Sequence, residues 1–246
     1  MNNREDWFIN WFNSKYYHIL YESRNKNEAN NFIKNIISNL SLESNKSVLD
    51  LGCGNGRHSI SLSNHFKIVH GIDISSENIS LANENKKDNL KFFISDMRNF
   101  VSDSKYGYIF NLFTSFGYFK KNEDNINVLK SCYNHLNRDG LLFIDFLNSE
   151  KIKMTVNILK ETKNISGIKF NISKQIIDNY VVKNIKVKDK GNTYDFQEKV
   201  QLLNIKDFKK MFEISGFEII STYGNYQMKP YDLDSSRLIL CAKKVS

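Results

Sequence analysis

The sequence predicts an α/β fold, a doubly wound parallel sheet followed late in the chain by an inserted antiparallel meander. Three observations carry this reading. From residue 46 onward, short apolar runs alternate with helical patterns, the arrangement that buries a parallel sheet between helix layers. The first run, VLDLGCGNGRH at 48–58, ends in three closely spaced glycines, as a strand does when it enters a tight turn beside a ligand. Between 165 and 203 the apolar period changes to two, which describes a sheet with one apolar face.

The elements follow in order. Residues 5–12 and 28–40 read as two helices, and 47–51 as a compact buried strand. Residues 57–65 form a helix carrying Ile60 and Leu62, and 67–72 the next strand. The helix at 75–87 has Ser75 or Ser76 as its N-cap and Glu77 in its first turn. Strands follow at 90–94 and 106–113, the latter rich in aromatic and β-branched residues. Residues 122–137 are an amphipathic helix with Ile126, Leu129, Tyr133 and Leu136 on its apolar side and Gly140 as its stop, and 141–147 is a fifth strand. In the meander, Ile168, Phe170 and Ile172 point one way, Val181, Ile185 and Val187 recur at even spacing, and so do Tyr194, Phe196, Val200 and Leu202. Asp178-Asn179 and the stretch 189–192 supply turn residues. Residues 205–215 are helical, Gly216 ends that helix, and strands at 217–223 and 237–243 close the chain.

Composition narrows the class. At 246 residues and 41% hydrophobic content, the chain can build one large domain with embellishments. The N-terminal MNNREDWFIN lacks the apolar run of a signal peptide, and no window is apolar enough to span a bilayer. A soluble, cytoplasmic protein with no membrane partner is expected. Cys53, Cys132 and Cys241 lie far apart with no CxxC pair, which argues against a disulfide framework and against a metal site. The formal charge of +8 raises the question of a nucleic-acid partner. The lysines, however, are scattered among acids, and a chain rich in Lys, Asn and Ile with Pro230 as its only proline shows a chain-wide bias rather than a patch. This argues against nucleic acid.

The glycine turn narrows the ligand. Gly52, Gly54 and Gly56 are spaced GxGxG, and the third glycine of a dinucleotide fingerprint would fall at Arg57. No GK[ST] of a phosphate loop follows. The turn lacks the marks of a pyrophosphate cradle but still admits a small ligand against its backbone. Asp73 ends the second strand, where a carboxylate can accept from both hydroxyls of a ribose. Asp96 ends the third, in ISDMRNF, where it can accept from an adenine amino group while Met97 packs on the base. Each acid alone also fits a solvated strand end or a helix cap. Their order, with Asp50 in the first strand, suits an adenosine.

Together, VLDLGCGNGRHSI, GIDIS, ISDMRNF and LNRDGLLFIDF resemble a class I S-adenosylmethionine-dependent methyltransferase over roughly residues 46–148. The helix–Gly-Phe–strand pattern near Gly216 extends the resemblance to the C-terminus. It implies a Rossmann-like seven-stranded sheet with the last strand antiparallel, and S-adenosyl-L-methionine as cofactor. It implies a division into an N-terminal helical gating segment (1–45), a cofactor-binding core (46–150), an antiparallel substrate lid (151–204) and the C-terminal part of the core sheet (205–246). Asp73, with Ile74 beside it, would hold the ribose, and Asp96 with Met97 the adenine. Asp50, Gly52, Cys53, Gly54 and Gly56 would surround the methionine portion, and Asn111 is counted among the cofactor positions. The N-terminal WFNSKYYHILYESR is similar to the gating segment of small-molecule N-methyltransferases of the glycine and aminosugar types. Tyr16, Tyr17 and Tyr21 would then close the site and Arg24 would pair with the methionine carboxylate; the alternative is that these aromatics are a helix's core face.

A methyl on a sulfonium needs a nucleophile in line behind it, with water excluded. The segment NLFTSFGYF lies at the carboxyl end of the fourth strand, where that nucleophile should sit: Asn111, Ser115 and Tyr118 offer polar groups, Phe113 and Phe116 walls. Asp145 is the acid placed to meet a substrate amine or proton, provided strand alternation turns it to the pocket, and Asn148 lies close by. Tyr118 and His18 complete the catalytic candidates, whereas His58 reads as a packing residue and His135 as structural. The absence of [DNS]PP[YF] after this strand, and of a Pro-Cys pair, argues against adenine-N6, glutamine-amide and cytosine-C5 acceptors. In the resembling enzymes, insertions like the meander cover the substrate opening or mediate a homodimer. The expected function is methyl transfer to an amine or hydroxyl of a small-molecule acceptor; the alternative is an RNA or protein methyltransferase using the basic surface.

Overall fold

The chain opens with α1 (Trp7–Phe12), α2 (Lys15–Leu20) and α3 (Lys26–Leu40) in the computed structural model, which describes residues 7–22, 26–156 and 158–245. The sequence predicted two helices here, not three. The additional break falls at Ser14, whose extended backbone and hydroxyl, accepting from the Tyr16 N–H at 3.2 Å, start a new helix. Then come β1 (Ser47–Leu51), α4 (Arg57–Leu62), β2 (Ile68–Asp73), α5 (Ser76–Asn83), β3 (Leu90–Ile94), β4 (Tyr106–Asn111), α6 (Asn122–His135), β5 (Leu136–Leu147) and α7 (Ser149–Thr155). Four strands follow, β6 (Ile158–Ile165), β7 (Ile168–Ile177), β8 (Tyr180–Asp189) and β9 (Asn192–Gln201), and then α8 (Ile205–Ile214), β10 (Phe217–Tyr223) and β11 (Arg237–Lys244).

The large sheet has the order β10-β11-β5-β4-β1-β2-β3. It is the expected seven-stranded doubly wound sheet, with the last strand, β11, antiparallel to both neighbours. Strands β1 to β3 step outward one way, and β4 starts on the other side of β1. At such a reversal the two flanking loops part, and their carboxyl ends open a crevice. One face of the sheet is covered by α3, α4 and α5 through Phe32, Ile33, Ile36, Leu62 and Ile79; the other is covered by α6 and α8 through Leu129, Cys132, Phe208 and Phe212. Fully burying side chains of this kind contributes about 1.5–3 kcal/mol each, enough to fix the crevice walls.

Three boundaries differ from expectation for local reasons. Helix α6 stops at His135 without using Gly140: the Lys244 ammonium takes up the Tyr133 and Leu136 carbonyls at 2.7 and 2.9 Å, Asp139 adopts the left-handed turn (φ 60°), and β5 begins at Leu136. Helix α7 was not predicted; Asn148 caps it, its side-chain oxygen accepting from the Glu150 and Lys151 N–H groups. Strand β6, reading ILKETKNI, was not predicted because it is largely polar.

The four-stranded sheet runs β6-β7-β8-β9 as consecutive hairpins. Its three turns are the pairs Ser166-Gly167, Asp178-Asn179 and Lys190-Gly191, with φ of 52° and 77°, 48° and 61°, and 48° and 81°. Two successive left-handed residues match the twist of flanking strands, so each turn fixes its register. One face of this sheet packs on α1 and α2: Trp11, Tyr16 and Leu20 meet Phe170, Ile172, Ile185 and Val187 in a cluster of their own. Asp189 at the end of β8 ties α2 to this sheet, accepting from Lys15 and from the Tyr16 hydroxyl at 3.2 and 3.0 Å. Helix α1 also touches the main core through Phe8, whereas α3 belongs to it entirely. The stretch before residue 46 therefore serves two bodies. No helix among the described residues is long and apolar enough to cross a membrane.

Candidate active site

The crevice at the carboxyl ends of β1, β2 and β4 is roofed by α1, α2 and the four-stranded sheet, leaving a partly open cavity of about 980 Å³. At its floor the chain leaves β1, and the Gly52 and Cys53 N–H groups donate to the Ile72 carbonyl at 2.8 and 2.9 Å, folding the turn toward β2. Gly54 has φ +56°, its N–H donates to Asp73 Oδ2 at 2.9 Å, and a Cβ there would meet nothing within 4 Å. Its open side is the cavity itself. Gly56 answers a different need. It caps α4 at φ +81°, and a Cβ would lie 2.7 Å from Phe92 Cζ, so it serves packing and does not line the cavity, contrary to expectation.

Asp73 accepts from the Ser75 N–H on Oδ1 and from Gly54 on Oδ2, both at 2.9 Å. Burial pushes its carboxyl up, and the hydrogen bonds from Ser75, Gly54 and Asn78 pull the other way without cancelling that rise. Each oxygen retains acceptor capacity for a ligand hydroxyl. Beside it, Asn78 Oδ1 and His18 Nε2 are buried and have no hydrogen-bond partner among the described residues. Both residues line the cavity. Burial lowers the His18 pKa against the attraction of Glu77, which keeps the ring neutral at pH 7. Helix α1 is latched to this end through Asn13, whose side-chain oxygen accepts from the Ser75 hydroxyl at 2.7 Å. Ile74, Asp96 and Met97 line the adjoining rim. Burial pushes the Asp96 carboxyl up, but Arg98 donates to it from its backbone N–H at 2.9 Å and its guanidinium at 3.0 Å, and the net result is a pKa below the ordinary value.

Two expected cofactor residues stand behind the turn instead of facing the cavity. Asp50 is fully buried and accepts from the Ser59 hydroxyl at 2.6 Å; burial, aided by the Asp73 charge, lifts its pKa to about 7. Asn111 is also buried and donates to the Leu51 carbonyl at 2.8 Å. Both hold the end of β1 in place. Cys53 does line the cavity, and burial pushes its thiol up, so it stays protonated.

At the far end, Phe113 and Thr114 are both left-handed, at φ 64° and 62°. Adjacent strained residues persist only where their surroundings hold them, and Asp145 does so here. Its Oδ2 accepts from the Phe113 N–H at 2.9 Å and its carbonyl from the Thr114 N–H at 3.0 Å. Asp145 Oδ1 is paired with Arg237 Nε at 2.7 Å, and Oδ2 also accepts from the Tyr226 hydroxyl at 3.2 Å. The carboxylate is wholly buried and does not line the cavity, which corrects its assignment as a proton-transferring acid. Arg237, missed in the sequence, does line it, and its guanidinium also donates to Thr114 Oγ1 at 2.7 Å. Tyr118 is likewise corrected as a catalytic hydroxyl: its O–H donates to the Thr114 carbonyl, and its ring forms a wall with Trp7 and Phe12 at 5.4 and 5.7 Å. Ser115 faces the cavity but bonds the Gly52 and Leu112 carbonyls.

Of the aromatic segment, Tyr17, His18 and Tyr21 reach the cavity. Tyr16 does not; it is buried toward the four-stranded sheet. Arg24 lies outside the described residues. Unforeseen from the sequence is a charged row on the roof, where Lys174 on β7, Lys183 on β8 and Glu198 on β9 are direct cross-strand neighbours and all line the cavity. Glu198 gathers Trp11 Nε1 at 2.8 Å, the Tyr21 hydroxyl at 2.5 Å and Lys183 at 3.5 Å. A signal was present: Lys174 follows Phe170 and Ile172 in the same period-two phase and breaks the apolar face.

Residues 42–216 match the family described as Methyltransferase domain. Among curated relatives, the chain is 33% identical over 108 residues to YqeM of Bacillus subtilis, a match covering 43% of this chain and 44% of the relative. The chain thus spans under half of that relative's length. Among solved structures, an S-adenosylmethionine-dependent methyltransferase from Clostridium acetobutylicum aligns with a TM-score of 0.80 at 19% identity, over 94% of this chain and 96% of that one. A sugar N-methyltransferase from Streptoalloteichus aligns with a TM-score of 0.71 at 17% identity, over 94% and 93%. At such identities the likeness is one of fold.

Proposed function

The chain belongs to the Methyltransferase domain family, and from that premise we propose that it moves a methyl group from S-adenosylmethionine to the nitrogen of a small molecule. The observation that carries this is continuity: one cavity joins the Gly54–Asp73 turn to a roofed chamber at Arg237 and Lys174. A volume of about 980 Å³ falls in the range of small-ligand sites, and a roofed chamber suits a metabolite better than a duplex or a folded protein. The structural neighbour named as a sugar N-methyltransferase supports nitrogen as the accepting atom.

The residues present fit the cofactor. Asp73 offers two acceptor oxygens to a ribose; the unpartnered Asn78 Oδ1 adds a further polar contact; Gly54 leaves the approach open; and Asp96 with Met97 serves the adenine. The bound cofactor supplies a methyl already activated by its positive sulfur. The chain then has to orient the acceptor and exclude water, and the packed wall of Trp7, Phe12 and Tyr118 does both. Of the three groups the sequence offered for proton transfer, Asp145 is committed to Arg237 and Tyr118 to Thr114. His18 is the one with an unpartnered nitrogen beside the cavity, and it takes the role of base for an acceptor that arrives as an ammonium.

The test is to incubate the full chain with trideuteriomethyl-labelled cofactor and separate pools of metabolite amines, RNA and protein. The expected result is a gain of one labelled methyl on a small amine. Label appearing in RNA or protein alone would overturn the acceptor class, and a calorimetric titration with S-adenosylhomocysteine that releases no heat would overturn the cofactor.

A further inference from the structure

We propose that Lys174 and Lys183, on the inner face of the four-stranded sheet, form an oxyanion subsite that grips a phosphate or carboxylate group carried by the methyl acceptor. This rests on the reading above only in taking the acceptor to lie beneath that sheet.

The register places the two lysines directly opposite one another, and both line the cavity. They continue the face that carries Phe170 and Ile172 on β7 and Ile185 on β8, at the point where it runs out from under α2 and becomes the cavity roof. Like charges directly opposite across a strand pair are destabilising unless opposite charge compensates each of them. The protein's own acids do not fill this role for Lys174. Lys183 is matched by Glu198 at 3.5 Å and bonds the Tyr21 hydroxyl. Glu198 is already shared with Trp11 and Tyr21. Glu161 also lines the cavity but is half exposed, and its ion pair is with Lys163 at 3.7 Å. Among the described residues, Lys174 has no carboxylate within ion-pair distance, and Glu198 and Glu161 act on it only from farther away. Its ammonium is also partly withdrawn from water, which lowers its pKa.

An oxyanion has two or more acceptor oxygens, enough to meet both lysines, and the charge that Lys174 lacks, whereas a hydroxyl would supply one bond and no charge. The pair also orients the acceptor. It attracts the anionic end and repels an ammonium, so the nitrogen to be methylated is directed away from the roof, toward the Gly54–Asp73 end of the cavity.

Trp11 provides the readout, because its indole N–H bonds the carboxylate that pairs with Lys183. The full-length protein is titrated with pyrophosphate and, separately, with succinate at constant ionic strength, following tryptophan fluorescence. A saturable response to pyrophosphate assigns a phosphate, and one to succinate a carboxylate. In either case Lys174→Gln should weaken the response about tenfold or more and Lys174→Arg should retain it, because the lost bond is charge-assisted. S-adenosylhomocysteine affinity, measured by calorimetry, should be the same in all three proteins. The subsite is overturned if the wild type shows no saturable response to either anion, or if Lys174→Gln responds as the wild type does. Failure to bind S-adenosylhomocysteine would instead strike the cofactor reading, which the anion titration does not depend on.

Discussion

Truncating Asp145 to alanine should destabilise the protein severely without removing any group that transfers a proton. The carboxylate is wholly buried, and its loss strands the Arg237 guanidinium, which is largely inside, together with the Phe113 N–H. Removing one partner of a buried ion pair costs about 3–5 kcal/mol, because the other charge is left uncompensated. Taking about 4 kcal/mol, and about 2–4 °C per kcal/mol for a chain of this size, the melting temperature should fall by about 8–16 °C. The assay is thermal unfolding by circular dichroism of wild type, Asp145→Ala, Arg237→Met and the double variant. The double variant should lose less than the sum of the singles, since the second substitution removes the stranded charge, with a coupling of about 1–3 kcal/mol. Turnover of Asp145→Ala, measured below its melting point, should be reduced with an unchanged pH profile. A melting temperature within about 2 °C of wild type, or the loss of one ionisation from the pH–rate profile, would refute this reasoning and return Asp145 to the chemistry.

Three further outcomes can be checked. Asp73→Ala should weaken S-adenosylhomocysteine binding more than about tenfold, the size expected for losing charge-assisted hydrogen bonds to two hydroxyls, and unchanged titration heats would contradict the ribose role. Asp50 should make the fold less stable toward alkaline pH. Its folded pKa of about 7 lies above the ordinary 3.8, so the folded chain keeps a proton that the unfolded chain has released, and the associated stability is full at low pH and lost as pH rises through 7. Urea midpoints at pH 5.5 and 8 should therefore differ less in Asp50→Asn than in wild type; parallel slopes would show that Asp50 is not the source. Trp11→Phe keeps most of the buried ring but removes the N–H held by Glu198, and should cost about 1–3 kcal/mol by leaving that carboxylate short of a donor, read as a lowered melting temperature.

The glycine-turn end of the cavity was legible because its residues sit at strand ends, where chain order alone places them. Gly54, Asp73, Asp96 and Met97 all face the cavity or its rim. The far end, at Arg237 and Lys174, was much less so. Strand β5 is buried on both faces, so its continuous apolar run carries no alternation from which to tell that Asp145 points inward to Arg237. Arg237 is the first residue of β11 and looks like an ordinary charged strand end until β11 is laid against β5. Gly52, Gly54 and Gly56 form one motif in the sequence, yet the structure gives the last of them to packing against Phe92. Strand β6 and the charged row on β7 to β9 were obscured for one shared reason: a sheet that roofs a polar cavity carries Lys and Glu on part of its inner face and reads as half solvated.

The four-stranded sheet and helices α1 and α2 share a hydrophobic cluster of their own and meet the core of the large sheet through Val181 and Phe8. Residues that shape the roof, such as Lys174, can therefore vary with little effect on the packing beneath the glycine turn, because distant sites with no common partners perturb stability independently. A lineage, or an engineer, could retarget the enzyme by changing the cavity-facing residues of β7 to β9, and leave the Gly54–Asp73 turn as inherited.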